Sequence, residues 1–300
     1  MSKKHSSTHT ARPWIYKELQ METKQIEKMT DEEYFALKAL SASQIKQYDK
    51  GAYWFWKSSP FNPDKEPEKA SDALVFGKLC HCMLLEPDEV EKRFVVADFG
   101  KTRNNKKYAE AVEANPGKEV VSEEEINRAD KMIFEIGQHP LASRIIAGAT
   151  AEMPYIWTDK DTGLLCKCKI DAIKRTKNGI VVIDYKTSSD IQSVLNWPQK
   201  LQYPLQAEFY SRAVKEKYGE EPCEFIFIIQ SNKEGEEDII AVANVEYDTG
   251  LVAKDIVKSH MQSIADKLKA WDETHNKALW AAYPNRVEMR YSNWYMDRGE

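Results

Sequence analysis

Two β-rich runs joined by a tight turn constrain this chain more than any other feature. Residues 164–173 and 180–186 are rich in β-branched, aromatic and small apolar side chains, and Asn178-Gly179 lies between them. That dipeptide suits the two-residue turn of a β-hairpin, whose backbone needs positive φ. Side chains two apart share one face of a strand. Lys167, Lys169 and Asp171 therefore stand together on the first strand, and Val182, Asp184 and Lys186 on the second. The opposite faces carry Cys166, Cys168 and Ile170, and Ile183 with Tyr185, which suits packing. Two acids and a lysine can thus converge on one surface. Hard divalent cations take oxygen ligands, and Mg²⁺ favours one or two carboxylates. A lysine two residues from Asp184 can position a water that such a metal acidifies. Asp-x-Lys alone fits an ordinary surface ion pair equally well.

The surrounding periodicities alternate between strand and helix. Residues 152–158, 224–230 and 239–247 read as further strands, with a turn at Asp161-Thr162-Gly163. An amphipathic helix spans 201–218 and stops at Gly219, and a long helix spans 249–280. Upstream, 70–85 is helical and halted by Pro87, while Ser122 caps a helix over 123–137 with Glu125 at the capping-box position. Ser41-Ala42-Ser43 caps a short helix over 44–48, followed by the aromatics Tyr53, Trp54, Phe55 and Trp56. Residues 58–71 and the basic stretch 101–118 read as loops, and 1–40 as an arm with one helix over 31–40. The expected fold class is α/β (α+β): a central mixed sheet flanked by helices over residues 41–300, without internal repeats.

Composition narrows the class. Of 300 residues, 42% are hydrophobic and 30% charged, as in an ordinary globular protein. No apolar run reaches the roughly 18 residues that span a bilayer, so no membrane association is expected. The first ten residues are polar, without the apolar stretch of a secretory signal, so cytoplasmic placement is the expectation. Five cysteines make an odd number, and Cys80/Cys82 and Cys166/Cys168 lack Cys-x2-Cys spacing, so buried free thiols are expected. The net charge of -5 does not favour nucleic acid, yet basic residues need only be concentrated locally to follow a phosphate backbone.

Further polar residues fall into an order with the hairpin. His81 lies on an otherwise apolar helix, where core burial and a site role compete, and Glu152 opens a strand. Gln206 and Tyr210, four apart, share a helix face. The order His, Glu, Asp, Asp-x-Lys, Gln-x3-Tyr resembles the PD-(D/E)XK nucleases of the RecB-like branch. Within it the chain is most similar to the RecE-type (exonuclease VIII) nuclease domains of phage recombination systems. The stretches that carry the resemblance are Gly77-Lys-Leu-Cys-His81 through Pro87, Glu152 with Tyr155-Ile156-Trp157, Gly163 through Asp171, Ile183-Asp184-Tyr185-Lys186-Thr187 and Gln206-Ala-Glu-Phe-Tyr210. Ile170 and Ile183 stand where the family name has proline.

The resemblance implies a restriction-endonuclease-like core in which His81, Glu152, Asp171, Asp184 and the Tyr185 carbonyl hold metal and Lys186 is the catalytic lysine. Gln206 and Tyr210 would brace the site and touch DNA, with Lys167 and Lys169 as further DNA contacts. It also implies Mg²⁺, with Mn²⁺ as a substitute, and 5′→3′ digestion of linear duplex DNA to expose 3′ strands. The implied partners are duplex ends, a RecT/Bet-type single-strand annealing protein and further copies in a ring, in a phage or prophage protein. Lys101, Arg103, Lys106 and Lys107 are expected to meet phosphates. An iron–sulfur variant of the fold is disfavoured because only Cys223 lies beyond Tyr210. A catalytically silent relative and a nucleotide- or sugar-processing enzyme are the readings from other classes; the latter lacks a Gly-rich phosphate loop.

Overall fold

Apolar alternation through the middle of the chain resolves into a five-stranded mixed sheet with helices on both faces. The computed structural model describes residues 29–66, 71–100 and 102–282, without the side chains at positions 31, 32, 152, 153 and 199. Its strands, in chain order, are β1 (Phe94–Val96), β2 (Glu119–Val121), β3 (Thr150–Thr158), β4 (Leu165–Thr176), β5 (Gly179–Ser188), β6 (Glu224–Ser231) and β7 (Ile240–Asn244). The longer helices are α1 (Asp31–Ala36), α2 (Ala42–Lys50), α3 (Ala52–Ser58), α4 (Asp72–Leu85), α5 (Lys106–Ala114), α6 (Glu123–Gln138), α7 (Tyr203–Tyr218) and α8 (Tyr247–Thr274).

The sheet order is β3-β4-β5-β6-β7, antiparallel throughout except for the parallel pair β5/β6, whose crossover contains α7. The β4/β5 hairpin turns at Lys177-Asn178, one residue before the expected Asn178-Gly179, because Gly179 already pairs with Thr176. Gly179 has φ +126°, and a Cβ there would press on Cys223 at 3.2 Å, so both conformation and space call for glycine.

The sheet separates two core layers, with β5 alternating between them. Cys166, Cys168, Ile170, Ile180 and Val182 pack with α2, α3, α7 and α8, while Ala172, Val181, Ile183 and Tyr185 pack with α4 and α6. Cys80, Cys82, Cys166 and Cys168 are buried free thiols, as expected, and Cys223 is exposed. Burial pushes the Cys80 thiol up to about 12 and those of Cys166 and Cys168 well above the usual range.

Three departures from the expected elements have local causes. The stretch 101–118, read as a loop, contains α5, because the Asn105 side chain caps the Tyr108 N–H at 2.9 Å. β1 and β2 form a separate parallel pair, too short at three residues each to show a period. The long C-terminal helix stops at Thr274, where His275 turns left-handed at φ 48°. Beyond that stop, Trp280 folds back to stack on Trp56 with centroids 4.4 Å apart. The helix expected over 31–40 is α1, which ends at Ala36; residues 1–28 of the expected arm and 283–300 of the expected domain lie outside the described residues.

Phe209 of α7 is fully buried against the β4 face. Phe209→Ala should lower unfolding free energy by about 3–5 kcal/mol in denaturant titration. Tyr247→Ala, at a position 77% exposed, should stay within about 0.5 kcal/mol of the parent. Equal effects at the two positions would contradict this core.

Candidate active site

The site begins where β4 and β5 part. Their paired residues run from Thr176↔Gly179 to Ala172↔Ile183 and no further among the described residues. Beyond that point β5 continues against β6, and β4 against β3. Asp171 and Asp184 are the next residues on either side of the fork. The Tyr185 N–H, released from the ladder, donates to Oδ2 of Asp171 at 2.8 Å. A carboxylate thus takes the place of a strand carbonyl and satisfies the N–H. Nδ1 of His81, on α4, lies 3.3 Å from the same oxygen, and its ring sits 5.1 Å from the Tyr185 ring. Tyr185 is anchored at its other end too. Its hydroxyl donates to Gln230 Oε1 at 2.6 Å, and Gln230 Nε2 donates to the Met132 and Glu237 carbonyls.

Asp184 is 1% exposed. Gln206, on α7, donates from Nε2 to Asp184 Oδ1 at 2.6 Å, and its Oε1 accepts from Lys46 Nζ at 2.6 Å. The orientation of this amide follows from its neighbours, since an ammonium can only donate and a carboxylate only accept. Oδ2 of Asp184 meets the Lys186 ammonium as an ion pair and has no well-aligned hydrogen bond. Burial pushes the Asp184 carboxyl up; Lys186 opposes this and Asp171 reinforces it. Burial pulls the Lys186 ammonium down, but Asp184 and Asp171 outweigh it and hold it above the usual lysine range. Lys46 is drawn down to about 7 by burial and by Lys186.

The fork thus brings together His81, Asp171, Asp184, Lys186 and Gln206, as the sequence order anticipates. His81 is half-buried beside Asp171, while its neighbours Cys80 and Cys82 go into the core. Glu152 has its backbone in β3 between Ala151 and Met153, which pair with Ala172 and Ile170 around Asp171; its side chain lies outside the described residues. Tyr210 is half-buried, with its ring 6.4 Å from Phe225.

Lys167 takes a different place from the expected DNA contact. Its side chain is buried, and Nζ donates to the carbonyls of Tyr34, Phe35 and Leu37 at 2.7, 3.2 and 2.8 Å. It caps the C-terminal carbonyls of α1, where a cation is favoured. The basic stretch after residue 100 also differs. Arg103 is turned inward onto Glu125 at 2.8 Å and Asp72 at 3.3 Å, and Lys106 pairs with Glu110; Lys101 lies outside the described residues.

Sequence reasoning misses Lys46 and Tyr203. Lys46 reaches the site only because α2 packs on α7, and its ammonium lies 5.1 Å from the Tyr203 ring centroid. Both residues have sequence neighbours in the helices that the Ser41 cap and the Gln206/Tyr210 spacing announce, but no local pattern singles them out. Beside the fork, a cavity of about 490 Å³ is lined by Lys46, Lys65, Lys167 and Lys169, with Gln206 and Tyr210, and among the described residues by no carboxylate. In a chain of net charge -5 this is a local concentration of positive charge next to two acids.

The donor set suits a hard divalent cation. Two carboxylates converge, one of them buried with an oxygen that faces only an ammonium charge, and that ammonium offsets Asp184 as a cation would. Among the described residues no three His, Cys, Asp or Glu close into a ligand cluster. Glu152, whose backbone lies in β3 between the partners of Ala172 and Ile170, is the further candidate that the sequence offers.

The capping role of Lys167 has a direct check. Lys167→Ala strips three carbonyls of their donor and should cost about 1–3 kcal/mol of stability. The salt dependence of any DNA binding should be unchanged. A variant of wild-type stability with weakened DNA binding would reverse the assignment.

Residues 41–291 match the family described as a PDDEXK-like domain of unknown function. A crystal structure of a "Putative exonuclease" from Eubacterium rectale aligns over 90% of this chain and 97% of its own, at 16% identity and a TM-score of 0.55. A second solved structure, SSO0001, covers 45% of this chain and 59% of its own at 18% identity, and its TM-score of 0.28 carries no argument. No curated protein matches the chain. With five-sixths of its length inside the family match and a mixed sheet that parts at Asp171 and Asp184, the chain belongs to the PDDEXK-like family.

Proposed function

We propose that this protein is a Mg²⁺-dependent exodeoxyribonuclease, with Mn²⁺ as a substitute, that degrades linear double-stranded DNA 5′→3′ and exposes 3′ single strands for recombination by strand annealing. One observation carries the reading: Asp171, Asp184 and Lys186 converge at the fork, and the cavity beside them presents Lys46, Lys65 and Lys169 and, among the described residues, no carboxylate. Acids that suit a metal, next to a basic groove, are what phosphodiester hydrolysis needs. The family match and the name of the Eubacterium rectale protein support a nuclease. Polarity, duplex preference, a ring of copies and an annealing partner come from the resemblance of the motif order to RecE-type domains.

In this mechanism Asp171, Asp184 and the Tyr185 carbonyl would hold the metal, with His81 and Glu152 in support. A bound divalent ion supplies an acidified water and stabilises charge on the phosphate oxygens. Lys186, released from Asp184, orients the attacking water or meets the developing charge on phosphorus. Gln206 keeps Asp184 aimed, since its amide fixes Oδ1 and is fixed by Lys46. Tyr185 is held at both backbone and hydroxyl, so the carbonyl it presents is preorganised.

Asp171→Ala or Asp184→Ala should abolish cleavage of linear duplex in Mg²⁺, by on the order of 10³-fold or more, with the fold intact by circular dichroism. EDTA should do the same to the parent protein. A folded Asp184→Ala protein of near-parental activity would remove the site.

Substrate class is tested by topology. Linear duplex labelled at its 5′ ends should release label first, while covalently closed circles should survive. Activity should fall steeply between about 50 and 200 mM salt, as phosphate contacts release counterions. Rapid cutting of closed circles would make the protein an endonuclease and retire the end-dependent, ring-threading model, leaving the metal site in place.

A further inference from the structure

The short helix α3 divides its four aromatics. Phe55 is fully buried, and Trp56 is stacked on Trp280. Tyr53 and Trp54 instead remain 38% and 43% exposed, meeting each other edge-on with centroids 5.1 Å apart. Large exposed rings that anchor nothing are surfaces available to a ligand. Tyr53 and Trp54 line a cavity of about 610 Å³ together with Lys57 and Asn62. Gln47 and Ser58 line both this cavity and the basic groove, so the two adjoin. The groove that holds Lys46 and Gln206, the latter bonded to Asp184, thus borders at Gln47 the cavity that holds Trp54. Two carboxylates stand at the outer cavity, Asp64 and Glu66, and Asp64 faces Lys277 at 3.7 Å.

We propose that these adjoining cavities hold single-stranded nucleic acid, with phosphates along Lys46, Lys65 and Lys169 and an unpaired base stacked on Trp54, Tyr53 completing the platform. The groove selects phosphate because it offers lysines and, among the described residues, no carboxylate. The rings select a single strand because bases within a duplex have no free face, whereas every unpaired base does. A duplex-consuming enzyme must keep one strand apart from the other near its site, so the proposal rests on the reading of the fork as a nuclease centre and adds the place where a separated strand lies.

The test is equilibrium binding of a fluorescein-labelled 12-nucleotide oligo(dT) to the full chain in EDTA, read by anisotropy. Trp54→Leu, which keeps apolar bulk without an aromatic face, should weaken binding at least about fivefold, the lower end expected for one lost base stack. Trp54→Phe should stay within about threefold of the parent. Intrinsic fluorescence gives a second readout: saturating oligo(dT) should quench emission in the parent that is absent from Trp54→Phe. Parental binding by Trp54→Leu, an equal loss in Trp54→Phe, no quenching difference, or no binding by the parent would each overturn the platform. Mg²⁺-dependent digestion of linear duplex, run in parallel, separates the two readings. Cleavage with Trp54-independent binding removes the platform and keeps the nuclease; Trp54-dependent binding without cleavage does the reverse.

Discussion

The structure turns on one substitution of hydrogen-bond partners: Asp171 Oδ2 accepts the Tyr185 N–H that the β4/β5 ladder leaves behind. A buried N–H without a partner costs about as much as a lost hydrogen bond, so the strands can part here only if something else accepts it. The carboxylate does so and is thereby fixed at the fork. The widening gap leaves room for functional side chains from outside the hairpin: His81 from α4, and Gln206 and Lys46 from α7 and α2.

A second constraint is electrostatic. Burying Asp184 at 1% exposure would be costly without compensation. Lys186 supplies charge and Gln206 a hydrogen bond, and Gln206 is in turn held by Lys46. Paired buried charges seldom add net stability over a well-packed apolar replacement. Their presence at a fork in the sheet, beside a lysine-lined cavity, therefore points to function rather than to folding. The same constraint draws Lys46 down, through burial first and then through the nearby Lys186 charge.

Much of this was legible in residue pattern. The hairpin was, because Asn178-Gly179 and the flanking β-branched runs act locally, and so were the helix starts with serine caps, such as Ser122 with Glu125. Gathering Asp171 and Asp184 followed from period two along each strand, although the expected flat face is a fork, since alternation says nothing about where pairing stops. Lys167 shows the limit of that rule. Its face was assignable, but its engagement by the carbonyls of α1 depends on packing between segments about 130 residues apart. Lys46 and Arg103 were illegible for the same reason: each is placed by partners distant in sequence, Gln206 and Glu125 respectively.

The proposed nuclease reading requires that Asp171 and Asp184 bind a divalent cation. Titration of the metal-free chain with Mn²⁺, followed by the loss of free-ion electron paramagnetic resonance signal, tests it without recourse to DNA or turnover. The parent should bind Mn²⁺ saturably and in competition with Mg²⁺, and Asp171→Ala and Asp184→Ala should each weaken binding at least about tenfold, equivalent to roughly 1.4 kcal/mol. Undiminished Mn²⁺ binding by a folded Asp184→Ala chain would contradict the account.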